Sequence, residues 1–269
     1  MRCPGCTLVF ADPLTVQDPV ELYEAAYRGE VDAAGMQQYR ERLVAQDGGV
    51  EHVGDGLWTP AFAAGLDWLR AELGARAGVL ELGSARGYAL HAARERGLDP
   101  VGLDVAATVV DRSRAQGFRV HHGTLDSLPE DFVQAAGVMS FFVLHHLPDP
   151  LGWLRQVRTR FPEALLVVAV HGHDEGRPLS QYTAPPRTLT RWSTPALQRL
   201  FAEAGYTAQV LPCRGGPSQA VGRLGGAGAL LRRAPAAYRL ARRALDLLPR
   251  SVTQEAPGAV LLVLARPAA

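Results

Sequence analysis

The sequence predicts an α/β fold in which a doubly wound, seven-stranded, mostly parallel sheet carries helices on both faces. Three observations predict it. From residue 78 onward short apolar runs alternate with segments of helical period, the pattern of strands interleaved with helices. The first run closes on an acid followed by a glycine-containing turn, Glu81-Leu82-Gly83-Ser84-Ala85-Arg86-Gly87. Two late apolar stretches, 206–211 and 259–265, bring the strand count to seven. With 269 residues, 47% hydrophobic and 20% charged, the chain has the composition of a globular protein with a sizeable core.

Taken in order, residues 1–16 read as a ribbon or loop with a short strand at 8–10. From Val20 to about Gln46 the pattern is helical, with Leu22, Ala26, Tyr27, Tyr39 and Leu43 spaced for one face, until Gly48, Gly49, Gly54 and Gly56 break it. A helix over 59–73 follows, turning Phe62, Leu66 and Leu69 inward, with Thr59 and Pro60 as cap and first-turn proline. Five strands are expected at 79–82, 100–103, 119–121, 138–143 and 165–170, and helices near 87–96, 106–116, 150–159 and 194–204. The organisation that results is a ribbon remnant and helical cap over 1–74, and a ligand-binding domain over 75–269 with an Ala, Leu and Arg-rich helical insertion at 214–250.

Composition removes several chemistries. All 28 Lys and Arg positions are Arg; the chain has no Lys, Asn or Ile. A P-loop, a Schiff-base enzyme and a Tyr and Lys dehydrogenase each require a lysine, so none of them operates here. Net charge is +1, yet residues 214–250 hold eight Arg against one acid, Asp246. There Arg239, Arg242, Arg243 and Asp246 share one helical stripe, and Tyr238, Ala241, Leu245 and Leu248 another. A solvated amphipathic helix accounts for this; so does recognition of an anionic group. No apolar stretch approaches the roughly 18 residues of a membrane span, and no apolar leader follows the basic start, so a cytoplasmic location is expected. Three cysteines do not make a disulfide framework.

The turn after the first strand is the chemical signal. Gly83 and Gly87 let a ligand approach backbone N–H groups, and the following helix offers its N-terminus. Asp104, which ends the second strand, is placed to accept both hydroxyls of a ribose. A dinucleotide enzyme would have Gly-x-Gly-x-x-Gly spacing, which Glu81 and Gly83-x-x-x-Gly87 do not match.

These residues resemble the class I S-adenosylmethionine-dependent methyltransferases. Their acid-x-Gly-x-Gly-x-Gly turn is similar to Glu81-x-Gly83-x-Ala85-x-Gly87, where Ala85 takes the middle glycine and leaves less room. The likeness continues in Gly123-Thr124-Leu125-Asp126-Ser127-Leu128-Pro129, the family's adenine border. It continues again in Phe141-Phe142-Val143-Leu144-His145-His146-Leu147-Pro148-Asp149-Pro150, the signature after the fourth strand. Pro185-Pro186-Arg187-Thr188-Leu189-Thr190-Arg191-Trp192-Ser193 resembles a later family segment, and the similarity covers about 1–211 and the last strand. It implies a Rossmann-like methyltransferase fold with an antiparallel last strand and S-adenosyl-L-methionine as cofactor. The cofactor would be held by Glu81, Gly83, Ser84, Ala85, Gly87, Tyr88, Asp104, Val105, Thr124, Leu125 and Phe142.

A subgroup of relatives begins with a zinc ribbon ending in Cys-x-x-Cys-Gly-Leu-Val-Phe. This chain has a single pair, Cys3-Pro4-Gly5-Cys6, with Thr7 at the glycine. Tetrahedral zinc needs four ligands, and Cys213 is distant, so an unmetallated remnant or a truncated start is expected and no metal. Phe142, standing where a metal-assisted subset has a carboxylate, also speaks against a catalytic metal, and the loop His171-Gly172-His173-Asp174 reads as a polar turn.

The cofactor's sulfonium already activates its methyl, so the protein mainly aligns the acceptor and excludes water. For a hydroxyl acceptor a histidine base suits neutral pH. His145 and His146 after the fourth strand and His171 after the fifth lie at the ligand-binding edge, although packing roles are open to each. Tyr23, Tyr27 and Tyr39 form either a lid over the pocket or part of the core. Arg187, Arg191 and Trp192 either border the acceptor or stabilise the loop before the next helix, capped by Ser193 or Thr194. A small-molecule acceptor, anionic or phosphate-bearing, is expected first, RNA second, and a non-catalytic cofactor-binding interaction module third.

Overall fold

A computed structural model describes residues 1–12, 21, 23, 24, 46–47, 50–51, 59–132, 134–172, 188–213 and 260–268. A seven-stranded sheet organises them: β4 (Gly78–Leu82), β5 (Asp99–Asp104), β6 (Arg119–His122), β7 (Gly137–Phe141), β8 (Leu165–Val170), β10 (Tyr206–Cys213) and β11 (Val260–Pro267). Their spatial order is β10-β11-β8-β7-β4-β5-β6. β4 pairs in parallel with β5 and β7, β5 with β6, and β7 with β8, whereas β11 runs antiparallel to both β8 and β10. The chain therefore winds outward from β4 through β5 to β6, then restarts at β7 on the other side of β4. That reversal opens a crevice at the carboxyl ends of β4 and β7.

The strands are sheet-formers because they are buried on both faces. Every residue of β8 (Leu-Leu-Val-Val-Ala-Val) is buried, as is every residue of β7. Alternate residues feed two cores: Leu166, Val168 and Val170 enter one, Leu165, Val167 and Ala169 the other. Against the first lie α4 (Pro150–Arg160), through Leu154 and Val157, and α5 (Thr194–Glu203), through Ala196, Leu197 and Phe201. Against the second lie α1 (Thr59–Leu73), α2 (Tyr88–Glu95) and α3 (Ala107–Ala115). Phe62, Leu66 and Leu69 of α1 are buried there as the spacing predicts.

Helix starts follow capping chemistry. Asp149 accepts Gly152 N–H at 2.9 Å with Pro150 in the first turn, so the Pro-Asp-Pro end of the signature is the beginning of α4. Ser193 caps α5 by accepting Ala196 N–H at 3.3 Å, with Pro195 behind it. Short pairings complete the described residues: β2 (Gln46–Asp47) with β3 (Val50–Glu51), and β1 (Val9–Phe10) with β9 (Thr190–Arg191).

At the expected end of the N-terminal helix, Gln46 and Asp47 are extended and pair with Glu51 and Val50, while residues 25–45 lie outside the described residues. Two expectations change. The fourth strand stops at Phe141, since Phe142 has φ 63°, a left-handed value that ends the pleat. Trp192 is not at an open site: it is 2% exposed and sits in the core. Among the described residues no helix is long and apolar enough to cross a membrane. Tyr27, Tyr39, His173, Asp174, Arg187 and the whole 214–250 stretch, with Arg239, Arg242, Arg243 and Asp246, lie outside the described residues.

Candidate active site

Each wall of the crevice grows from a strand end. After β4, Gly83 and Ser84 donate their N–H groups to Leu103 O at 2.8 and 3.0 Å, so the loop folds back over β5 before α2 begins. Gly83 has φ 78° and Gly87, which precedes α2, φ 77°. A Cβ on Gly83 would stand 2.3 Å from Val143 Cγ2, so the two walls touch there and only glycine fits. Ala85 has φ 44°, the strain expected of an alanine at a glycine position. Ser84 is buried against Gly102, and Tyr88 opens α2 half-buried. Arg86, not singled out by the sequence reading, is 6% exposed within this loop.

Asp104 holds the loop in place. Its Oδ2 accepts Ala85 N–H at 2.7 Å and its Oδ1 accepts Ala106 N–H at 2.9 Å. Burial raises its carboxyl above the ordinary value, against the N–H donors of Ala106, Ala85 and Val105. Val105 follows half-buried, its carbonyl within 3.0 Å of His122 Nε2. Further along this edge, Thr124 is exposed, whereas Leu125 is drawn into the core.

Glu81 is the anomaly. It is 3% exposed, its Oε2 has no hydrogen-bond partner, and loss of solvent, then the neighbouring Asp104 charge, push its pKa well above the ordinary value. A carboxyl so placed lacks a donor or a cation, and a cationic group in the crevice would supply one. Because its folded-state pKa stands above the unfolded one, Glu81 favours the folded chain below about pH 4.5, and that contribution is lost as pH rises through the folded-state pKa. Glu81→Gln is therefore expected to raise the Tm of the ligand-free protein at neutral pH by several degrees, more at alkaline pH and little near pH 4. Thermal melts across that range check it, and a lower Tm at pH 8 would contradict it.

After β7, Phe142 turns the chain, its N–H donating to Ala169 O at 2.8 Å, and residues 144–146 form a single 3-10 turn. Three imidazoles gather around it. His145 lies 4.0 Å from His146 and 4.8 Å from His171 between ring centroids, and Phe142 stands 5.1 Å from His171. His145 is 1% exposed and its Nδ1 has no partner, while His146 and His171 are half-buried. Burial first, then the charges of His146 and His171, hold the His145 pKa well below 6.5. It is thus a neutral ring enclosed by two more accessible ones. Depression on folding means stability is lost as pH falls below about 6.5, where the unfolded ring takes its proton first. A His145→Leu chain is expected to lose less stability between pH 7 and 5 than the wild type, as measured by urea unfolding.

Segment 188–193 joins these parts. Leu189 N–H donates to His145 O at 2.9 Å, and Trp192 N–H to His171 O at 3.4 Å. From the N-terminal side, Tyr23 sets its ring edgewise on His146 at 5.5 Å, and Glu24 accepts from Thr108 Oγ1 at 2.7 Å and from Thr108 N–H at 3.3 Å. Tyr23, open to a lid or a core role in the sequence, touches His146; the contacts of Glu24 and Val143 had no sequence signal, because their partners are distant in sequence. Among the described residues no group of three or more His, Cys, Asp or Glu is arranged to hold a metal.

A mixed seven-stranded sheet with an antiparallel β11, a glycine loop after β4 and a carboxylate ending β5 defines the Rossmann-like class of S-adenosylmethionine-binding enzymes. The methyltransferase-domain family model matches residues 59–210, and the chain belongs to that family. Among proteins of curated function, none matches. Solved structures share the fold at low identity. The Haloferax volcanii methyltransferase in complex with its Trm112 activator matches with TM-score 0.58 and 19% identity over 95% of this chain and 100% of that one. Burkholderia thailandensis 1,6-didemethyltoxoflavin-N1-methyltransferase, with bound 1,6-didemethyltoxoflavin and S-adenosylhomocysteine, matches with TM-score 0.56 and 16% identity over 99% and 97%. Haemonchus contortus phosphoethanolamine N-methyltransferase 2, with S-adenosyl-L-methionine, matches with TM-score 0.59 and 13% identity over 90% and 59%. The protein is an S-adenosylmethionine-dependent methyltransferase.

Proposed function

We propose that the methyl acceptor is a small molecule, methylated on a hydroxyl at the edge formed by Phe142, His146 and His171. The imidazole cluster carries this reading: two half-buried rings flank a buried neutral one beyond β7 and β8, at the same carboxyl edge of the sheet as Glu81 of β4 and Asp104 of β5. The residues present suit the cofactor. Asp104 retains acceptor capacity for ribose hydroxyls, the left-handed Gly83 to Gly87 loop presents backbone to the methionine portion, and the unsatisfied Glu81 carboxyl fits a positive charge. Ser84, Ala85, Tyr88 and Val105 complete that wall, with Thr124 and Leu125 toward the adenine and Phe142 toward the methyl. When bound, S-adenosylmethionine supplies an already activated methyl group.

The chain's own residues then position the acceptor and take its proton. In this reading His146 or His171 is the base, and His145 supports both rings from beneath. Tyr23 and Glu24 cover the crevice and limit water. The Burkholderia thailandensis neighbour, solved with 1,6-didemethyltoxoflavin bound, supports a small molecule as the acceptor. The eight Arg in 214–250 favour an anionic group on it.

The test is methyl transfer from labelled cofactor to a metabolite panel rich in phenols, hydroxy acids and phosphate esters, with bulk RNA alongside at two salt concentrations. Transfer to a small hydroxyl compound, abolished or shifted in pH profile by His146→Ala or His171→Ala, supports the proposal. RNA binding that weakens steeply with salt, together with transfer to RNA, would replace it.

A further inference from the structure

The N-terminal turn is built more carefully than a loose end requires. Cys3 N–H donates to Leu8 O at 2.8 Å and Thr7 N–H to Cys3 O at 2.9 Å, closing the Cys-Pro-Gly-Cys segment into a knuckle. Thr7 takes φ 61° to complete it, a left-handed value for a β-branched residue. The knuckle is fastened to α5: Thr7 Oγ1 donates to Ser193 Oγ at 2.7 Å, and Ser193 Oγ to Cys6 O at 3.0 Å. β1 then pairs with β9, while Cys6 and Leu8 pack on the core. The held turn aims the N–H groups of Gly5 and Cys6 at Cys3 Sγ, with the Cys6 thiol in hydrogen-bonding reach of the same sulfur. The guanidinium of Arg199, whose Nε donates to Glu203 Oε1 at 2.7 Å, brings its Nη1 to the same side of Gly5 as Cys3 Sγ. Both cysteines are free and partly exposed.

We propose that Cys3 and Cys6 form a thiol–disulfide redox site, in which Cys3 is the attacking thiol and Cys6 the resolving one, acting on low-molecular-weight disulfides. Two thiols within hydrogen-bonding reach on one closed turn need little movement to join. N–H donors and an adjacent cation favour the thiolate, the species that attacks, and they favour it without burying it. Those donors hold the Cys3 thiol below its ordinary pKa, whereas burial pushes the Cys213 thiol up to about 11, so the same chain contains an inert comparison. In the reaction the Cys3 thiolate attacks one sulfur of a disulfide such as oxidised glutathione, expelling one glutathione thiolate and leaving a mixed disulfide on Cys3. Cys6, having released its proton to solvent, attacks the Cys3 sulfur and expels the second glutathione. The protein's dithiol is oxidised to one disulfide, and one glutathione disulfide is reduced to two thiols.

The test uses the full chain, reduced, freed of reductant and equilibrated without oxygen against graded mixtures of reduced and oxidised glutathione. It is then acid-quenched, alkylated and mapped by peptide mass spectrometry. The peptide holding Cys3 and Cys6 is expected to lose two hydrogens as oxidised glutathione comes into excess, with Cys213 alkylated throughout. Cys6→Ser, with the fold verified by circular dichroism, is expected to stop at a glutathione adduct on Cys3. In the wild type at neutral pH, iodoacetamide is expected to modify Cys3 at least tenfold faster than Cys213. Equal rates at Cys3 and Cys213, or no adduct in Cys6→Ser, would overturn the proposal. So would one equivalent of zinc that travels with the purified chain and must be chelated before either thiol reacts.

Discussion

Asp104→Ala is expected to weaken S-adenosylhomocysteine binding by about 1–3 kcal/mol, roughly 5- to 150-fold, and to lower the stability of the ligand-free chain as well. The two effects share a cause. The carboxylate accepts Ala85 N–H at 2.7 Å and Ala106 N–H at 2.9 Å in a setting where Asp104 is 7% exposed, so its removal leaves two donors without an acceptor. Each such loss costs about 1–3 kcal/mol in a buried place. Ala85 is already strained at φ 44°, and without Asp104 it has little to hold it there. Asp104→Asn separates the contributions. One amide oxygen can keep one N–H, so stability recovers in part, while the affinity that depends on a full carboxylate does not. Calorimetry and urea unfolding on both variants make the comparison; an Asp104→Ala chain with unchanged affinity would remove Asp104 from the cofactor site.

Gly83→Ala is expected to be the more damaging change, at about 2–5 kcal/mol of stability with cofactor binding lost. A residue with a Cβ at φ 78° carries strain of about 1–2 kcal/mol, and overpacking typically adds about 1–3 kcal/mol. The overpacking is specific: the new methyl would fall 2.3 Å from Val143 Cγ2. Val143 directly precedes the turn that holds His145 and His146, so the displacement reaches the imidazole cluster. Adding Val143→Ala is expected to return the steric share and leave the backbone share. If the double variant is no more stable than Gly83→Ala alone, the contact between the two walls does not matter.

The strands could be found in the sequence because burial on both faces writes itself as an uninterrupted apolar run, as in Leu165 to Val170. Their ends were less legible. The apolar run at 138–143 continues past the real end of β7 because Val143 is apolar for another reason, its packing against Gly83. The glycine turn and Asp104 could be read since their spacing is local to one strand-turn-helix unit. The differing surroundings of the three histidines could not. His145 is buried and the rings of His146 and His171 are not, and that difference comes from a 3-10 turn, from β8 and from segment 188–193. Trp192 misled for a related reason: it follows a polar loop in the sequence, yet it points into the core. The pairing of β1 with β9 joins residues about 180 apart, a separation that no periodicity can show.

Synthesis order and spatial order disagree in this sheet. β11 is the last of the seven strands to leave the ribosome, yet it lies second from the edge, between β8 and β10. Until it arrives, β10 has no neighbour and β8 shows one open edge of unpaired N–H and C=O groups beside a fully apolar face. The nascent chain must therefore carry an adhesive edge while the roughly 90 residues between β8 and β11 are made, and its sheet closes in one late insertion between strands distant in sequence, a slow step that depends on residues 260–267. Chaperone demand and aggregation during expression should track the integrity of those eight residues more closely than that of any segment near the reaction centre.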